Sequence, residues 1–92
     1  MEWKLFADLA EHAGDRHVAV DVGPEATVGD ALDALLDDRP ALRERVLDEN
    51  DDLQPQINVL RNGKEVHSQE DGLQTTLEAG DELALFPPVS GG

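Results

Sequence analysis

Thr27-Val28-Gly29-Asp30-Ala31-Leu32-Asp33-Ala34-Leu35-Leu36-Asp37-Asp38 is the stretch on which the fold turns. Val28, Ala31, Leu32, Leu35 and Leu36 recur at i, i+3, i+4, i+7 and i+8, the spacing that draws one apolar stripe along a helix, while Asp30, Asp33, Asp37 and Asp38 fall on the other face. Thr27 is placed to cap the first turn, and Asp30, three residues on, completes a capping box with its carboxylate in the positive end of the helix. Pro40 stops the helix, and residues 41–47 read as a second short helical segment. A helix with one leucine face needs a sheet to bury it.

The sheet is written on both sides. Upstream, Trp3-Lys4-Leu5-Phe6 alternates with period 2, and Val18, Val20 and Val22 repeat the pattern, so two neighbouring antiparallel strands are expected. Residues 8–13 between them have helical character and end at Gly14, a residue suited to the left-handed position that closes a turn. Downstream, Gln56-Ile57-Asn58-Val59-Leu60-Arg61 and Lys64-Glu65-Val66-His67 flank Asn62-Gly63, the pair a type I′ hairpin favours because both central residues need positive φ. Glu82-Leu83-Ala84-Leu85-Phe86 forms the last strand, and Pro87-Pro88 cannot continue it. The order β-β-α-(α)-β-β-β predicts an α+β fold, an antiparallel-dominated sheet of four to five strands with one main helix on one face. A folded domain over residues 1–86 and an exposed tail over 87–92 follow from this reading.

Strand parity adds a surface. If Leu5, Ile57, Val59, Leu83 and Leu85 point to the helix, Phe6, Leu60 and Phe86 emerge on the uncovered face and form an apolar docking patch. An acidic rim around such a patch favours a partner with basic residues.

Composition narrows the function. The chain has 92 residues and a formal net charge of −14, from 21 Asp and Glu against 7 Lys and Arg, which argues against nucleic acid as a partner. With no cysteine, it carries no disulfide, thiolate metal site or thiol nucleophile. No apolar run approaches the roughly 20 residues that span a bilayer, and residues 1–6 lack the apolar stretch of a signal peptide, so a cytoplasmic monomer without membrane attachment is expected. The acidity and the scarcity of lysine suggest a halophilic source, where molar salt shortens the Debye length to about 3 Å and relieves self-repulsion. His12, His17 and His67 lack metal-ligand spacing, Asp48-Glu49-Asn50-Asp51-Asp52 lacks the pattern of a calcium loop, and Ser90 has no triad partners. No resident metal or cofactor is expected.

Three segments together carry a resemblance. Phe6-Ala7-Asp8-Leu9-Ala10-Glu11-His12-Ala13-Gly14, Thr27-Val28-Gly29-Asp30-Ala31-Leu32 and Gly80-Asp81-Glu82-Leu83-Ala84-Leu85-Phe86-Pro87-Pro88-Val89-Ser90-Gly91-Gly92 resemble the MoaD and ubiquitin-like small archaeal modifier family, in order and over nearly the whole chain. The resemblance implies a ubiquitin-like β-grasp fold, a mixed sheet of four to five strands with a flexible C-terminal tail, and docking through the uncovered face. It implies a carrier role in which an ATP-dependent activating enzyme joins the Gly92 carboxylate to AMP. The acyl group then passes to a target lysine as an isopeptide, or becomes a thiocarboxylate for molybdopterin synthesis or tRNA thiolation. Gly91 and Gly92 have no Cβ to obstruct a narrow pocket, and Pro87 and Pro88 stiffen the root of the tail ahead of Val89 and Ser90. Lys4 and Lys64 are candidate acceptors for chain formation. The large subunit of molybdopterin synthase is a partner in the alternative reading, sulfur donation alone; a further alternative is an interaction domain whose carboxyl is never activated.

Overall fold

The computed structural model describes residues 1–50, 52–54, 57–66 and 71–87. Five strands, β1 (Glu2–Leu5), β2 (His17–Ala19), β3 (Asn58–Arg61), β4 (Lys64–Glu65) and β5 (Glu82–Phe86), form one sheet in the order β2-β1-β5-β3-β4. β1 pairs antiparallel with β2 and parallel with β5, while β3 pairs antiparallel with β5 and β4. Two hairpins are thus joined through one parallel seam at the centre. Helix α1 (Asp8–Ala13) lies between β1 and β2, and α2 (Val28–Asp38) is the main helix. A 3-10 turn over Pro40–Leu42 leads into α3 (Arg43–Val46).

The helix ends form as their residues dictate. The Thr27 hydroxyl accepts from the Asp30 N–H at 3.1 Å and the Asp30 carboxylate accepts from the Thr27 N–H at 3.0 Å, so the capping box satisfies two donors that the first turn leaves open. Gly14 closes α1 with φ +85°. In the β3–β4 turn Asn62 and Gly63 have φ +53° and +82°, the pair of positive values the expected turn requires.

The core lies between α2 and one face of the sheet. Val28, Ala31, Leu32, Leu35 and Leu36 are all buried, as are Trp3 and Leu5 of β1, Val18 of β2, Val59 of β3, and Leu83 and Leu85 of β5. Trp3 is fully enclosed and its indole N–H donates to the Ala31 carbonyl at 3.1 Å, so the largest core side chain meets its polar demand on the main helix. This mixed sheet wrapped around one helix is the β-grasp arrangement.

Element boundaries differ from the sequence reading in all of the first four strands: β3 begins at Asn58, after Ile57, and β4 ends at Glu65, before Val66. β1 begins at Glu2 and ends at Leu5, leaving Phe6 just beyond it, because Ala7 turns to φ +54° and leads into α1. β2 covers only His17–Ala19; Val20 still donates to the Met1 carbonyl, but Val22 pairs with no strand among the described residues. The acidic segment closes on itself: the Asp48 carboxylate accepts from the N–H groups of Asn50 and Asp52 at 2.8 and 3.1 Å.

Candidate functional site

Because one side of the sheet faces α2, the register of the strands fixes what the other side presents. Lys4 of β1 is aligned with His17 of β2 and Ala84 of β5, and Ala84 with Leu60 of β3, which faces Glu65 of β4. One row toward the end of β5, Phe86 is aligned with Asn58. Phe6 stacks on the Phe86 ring with centroids 4.1 Å apart and planes 6° from parallel. Phe6 is 38% exposed, the one large hydrophobic residue left exposed among the described residues, while Leu60 and Phe86 are half-buried. The structure therefore brings Phe6 and Phe86 into contact and puts Leu60 one row away on the same open face.

Charges border this apolar strip. Lys4 Nζ lies 3.7 Å from Glu82, and His17 Nδ1 lies 3.7 Å from Glu2. Of the two candidate acceptor lysines, Lys4 is therefore held beside a carboxylate, whereas Lys64 is exposed next to the hairpin turn and has no ion pair among the described residues. Pro87 follows Phe86 directly and is half-buried. The sites read at Pro88, Val89, Ser90, Gly91 and Gly92 lie outside the described residues, as does His67. Among the described residues no group of three His, Asp or Glu side chains is placed to hold a metal ion, and no helix is long and apolar enough to cross a membrane.

The start of β5 carries a polar lock that strand and helix periods do not reveal. The Asp81 side chain is only 7% exposed. Its carboxylate accepts from the Glu78 N–H at 2.7 Å, from Arg61 Nε at 2.8 Å and from Asn62 Nδ2 at 2.8 Å. Burial pushes this carboxyl up, but the Glu78 N–H, the Asn62 amide and the Arg61 guanidinium together outweigh it and hold the group below its ordinary value. Asn62 in turn accepts from the Glu82 N–H at 2.9 Å, so the β3–β4 turn is tied to the first residue of β5. The Gly80-Asp81 pair signals a turn in sequence; nothing local shows that Asp81 meets Arg61, twenty residues away.

A β-grasp sheet with an open apolar face, whose central strand leads into a Pro-rich tail, belongs to the class of ubiquitin-like modifiers and sulfur carriers. Residues 3–92 match the model of the ThiS family, and the chain belongs to that family. It is 61% identical to small archaeal modifier protein 1 of Haloferax volcanii over 92 residues, all of both chains. The crystal structure of that organism's SAMP1 superposes with a TM-score of 0.89, covering 100% of this chain and 98% of the other. A chain in the crystal structure of the Amycolatopsis orientalis BexX/CysO complex shares the fold as well, with a TM-score of 0.80 at 27% identity, covering 99% of this chain and 98% of that one.

Proposed function

We propose that this chain is a protein modifier and sulfur carrier that is consumed as a reagent, its Gly92 carboxylate being the reacting group. A free α-carboxyl has a pKa near 3.5, so at neutral pH it is an anion that resists nucleophiles. Activation replaces a poor leaving group with a good one. A carboxylate oxygen attacks the α-phosphorus of ATP on an activating enzyme, pyrophosphate departs, and an acyl-adenylate remains. A lysine amine then attacks the carbonyl carbon, AMP leaves and the amine loses a proton, forming the isopeptide; hydrosulfide attacking the same carbon displaces AMP and, on losing its proton, leaves a thiocarboxylate. The likeness to small archaeal modifier protein 1 along the whole chain supports this reading. The observation that carries it is the position of β5, paired on both edges at the middle of the sheet and running directly into Pro87 beside the stacked Phe6 and Phe86. The tail starts from a rigid root next to the surface on which a partner would sit.

ATP–pyrophosphate exchange with the activating enzyme from the same source tests the first step. Intact-mass measurement of protein recovered from cells separates an oxygen-to-sulfur exchange from covalent conjugation. No Lys or Arg follows Lys64, so trypsin leaves residues 65–92 as the branch on a modified lysine. Removing Gly91 and Gly92 should abolish exchange and conjugates while leaving the thermal melt unchanged. Undiminished conjugation by the truncated chain would refute the proposal, and sulfur exchange without conjugates would reduce it to sulfur donation.

A further inference from the structure

A cavity of about 690 Å³ opens where β1 meets α1 and the start of β2, and Lys4, Phe6, Ala7, Glu11, Arg16 and His17 contribute to its walls. Its lining departs from the acidity of the molecule. In a chain of net charge −14, Lys4, Arg16 and the imidazole of His17 line it with a single carboxylate, that of Glu11, while Glu82 and Glu2 flank Lys4 and His17. Arg16 stands out among them. Arg39, Arg43, Arg45 and Arg61 each have a carboxylate within 4 Å, yet Arg16 is exposed and has no ion pair among the described residues despite 21 acidic side chains in the chain. Lys4 and His17 meet their carboxylates only at 3.7 Å, longer than a charge-assisted hydrogen bond. Phe6 supplies an apolar wall, and its ring is the one stacked on Phe86 at the root of the tail, so whatever fills the cavity sits against the strand that presents the tail.

We propose that this cavity receives an acidic segment of the protein that activates the tail, with a carboxylate on Arg16 and Lys4 and a neighbouring apolar side chain against Phe6. The inference rests on the function proposed above and adds the chemistry of the partner's contact. The overall charge by itself would select a basic partner. Local charge complementarity selects the reverse at this point, and an arginine fork can hold a carboxylate at contact distance where salt has screened longer-range attraction. Continuity with Phe6 and Phe86 places the contact at the edge of the docking patch.

The test is ATP–pyrophosphate exchange by the activating enzyme, with the full chain as the varied substrate. Arg16→Glu should raise the apparent KM by about tenfold with kcat retained, the loss of one charge-assisted contact. The double variant Asn50→Asp, Gln74→Glu changes net charge equally at residues outside the cavity, and should shift KM by less than about twofold if the effect is local. A thermal melt checks that Arg16→Glu remains folded; the Arg16 backbone carbonyl that accepts from the Leu5 N–H is unchanged by the substitution. An unchanged KM for Arg16→Glu overturns the inference, as does an equal rise for the double variant. A lower KM for Arg16→Glu would show a basic partner segment instead and overturns it too. Absence of exchange with the unaltered chain overturns the proposed function together with this contact, whereas exchange that ignores residue 16 overturns the contact alone.

Discussion

Replacing Asp81 with alanine should destabilise the domain by about 1–3 kcal/mol, the worth of hydrogen bonds to a charged group rather than of a fully buried ion pair, because the Asp81–Arg61 contact is only partly buried. The structure sets that magnitude. Asp81 is 7% exposed and takes three hydrogen bonds of 2.7 to 2.8 Å, while the Arg61 side chain is 24% exposed and can recover part of its hydration. At about 4–8 °C per kcal/mol for a domain of this size, a loss near 2 kcal/mol lowers Tm by roughly 8–16 °C. Melts in fixed KCl measure it, and a double-mutant cycle with Arg61→Ala isolates the pair from the Glu78 and Asn62 contacts. The pH dependence follows from the lowered carboxyl. Between the folded and unfolded pKa values the native state binds fewer protons, so stability rises with pH there. The contribution is fully present above the ordinary carboxylate value near 4 and is lost as pH falls through the depressed folded value. Asp81→Asn should therefore show a shallower acid limb than the unaltered chain. A cost below about 1 kcal/mol for Asp81→Ala, with an unchanged acid limb in Asp81→Asn, would show that the network contributes no net stability and refute the reasoning.

Other perturbations separate docking, strain and charge. Phe86→Ala and Leu60→Ala should each weaken association with the activating enzyme by about tenfold or more if the open face is the docking surface; titration calorimetry that finds unchanged affinity removes these residues from it. Ala7→Gly should raise stability by up to about 1 kcal/mol, since alanine at φ +54° is strained and glycine is not, the gain being trimmed by the extra freedom of glycine in the unfolded chain. A melt in which Ala7→Gly is clearly less stable would contradict the strain. Raising KCl from low to molar concentration should raise Tm, because Asp30, Asp33, Asp37 and Asp38 are all exposed along α2 and their mutual repulsion is screened; a falling Tm would show that screening of favourable pairs dominates.

Several parts of the architecture could be read before any coordinates. The leucine stripe and capping box of α2 are properties of spacing and of two side chains three residues apart, and both appear as expected. The Asn62-Gly63 turn is equally local. Parity sorts Leu60 and Phe86 from Val59, Leu83 and Leu85, because alternation along a strand survives any choice of partner strand, and Phe6, one residue past β1, is exposed while Leu5 is buried. Period 2 carries β1 through Phe6, one residue past its end at Leu5, since hydrophobicity continues there and the backbone reversal at Ala7 leaves no mark in residue type.

The amino-acid order alone therefore determined the elements, their faces, the absence of cysteine and the acidic surface, all of which depend on contacts within a few residues or on composition. Only the tertiary structure decided that β1 and β5 pair in parallel at the centre, that Asp81 reaches Arg61, and that Arg16 joins Lys4 and Phe6 around one cavity. Periodicity names the buried side of a strand but not its neighbour. These contacts join residues far apart along the chain, so they exist only once the packed core has fixed which strand lies beside which.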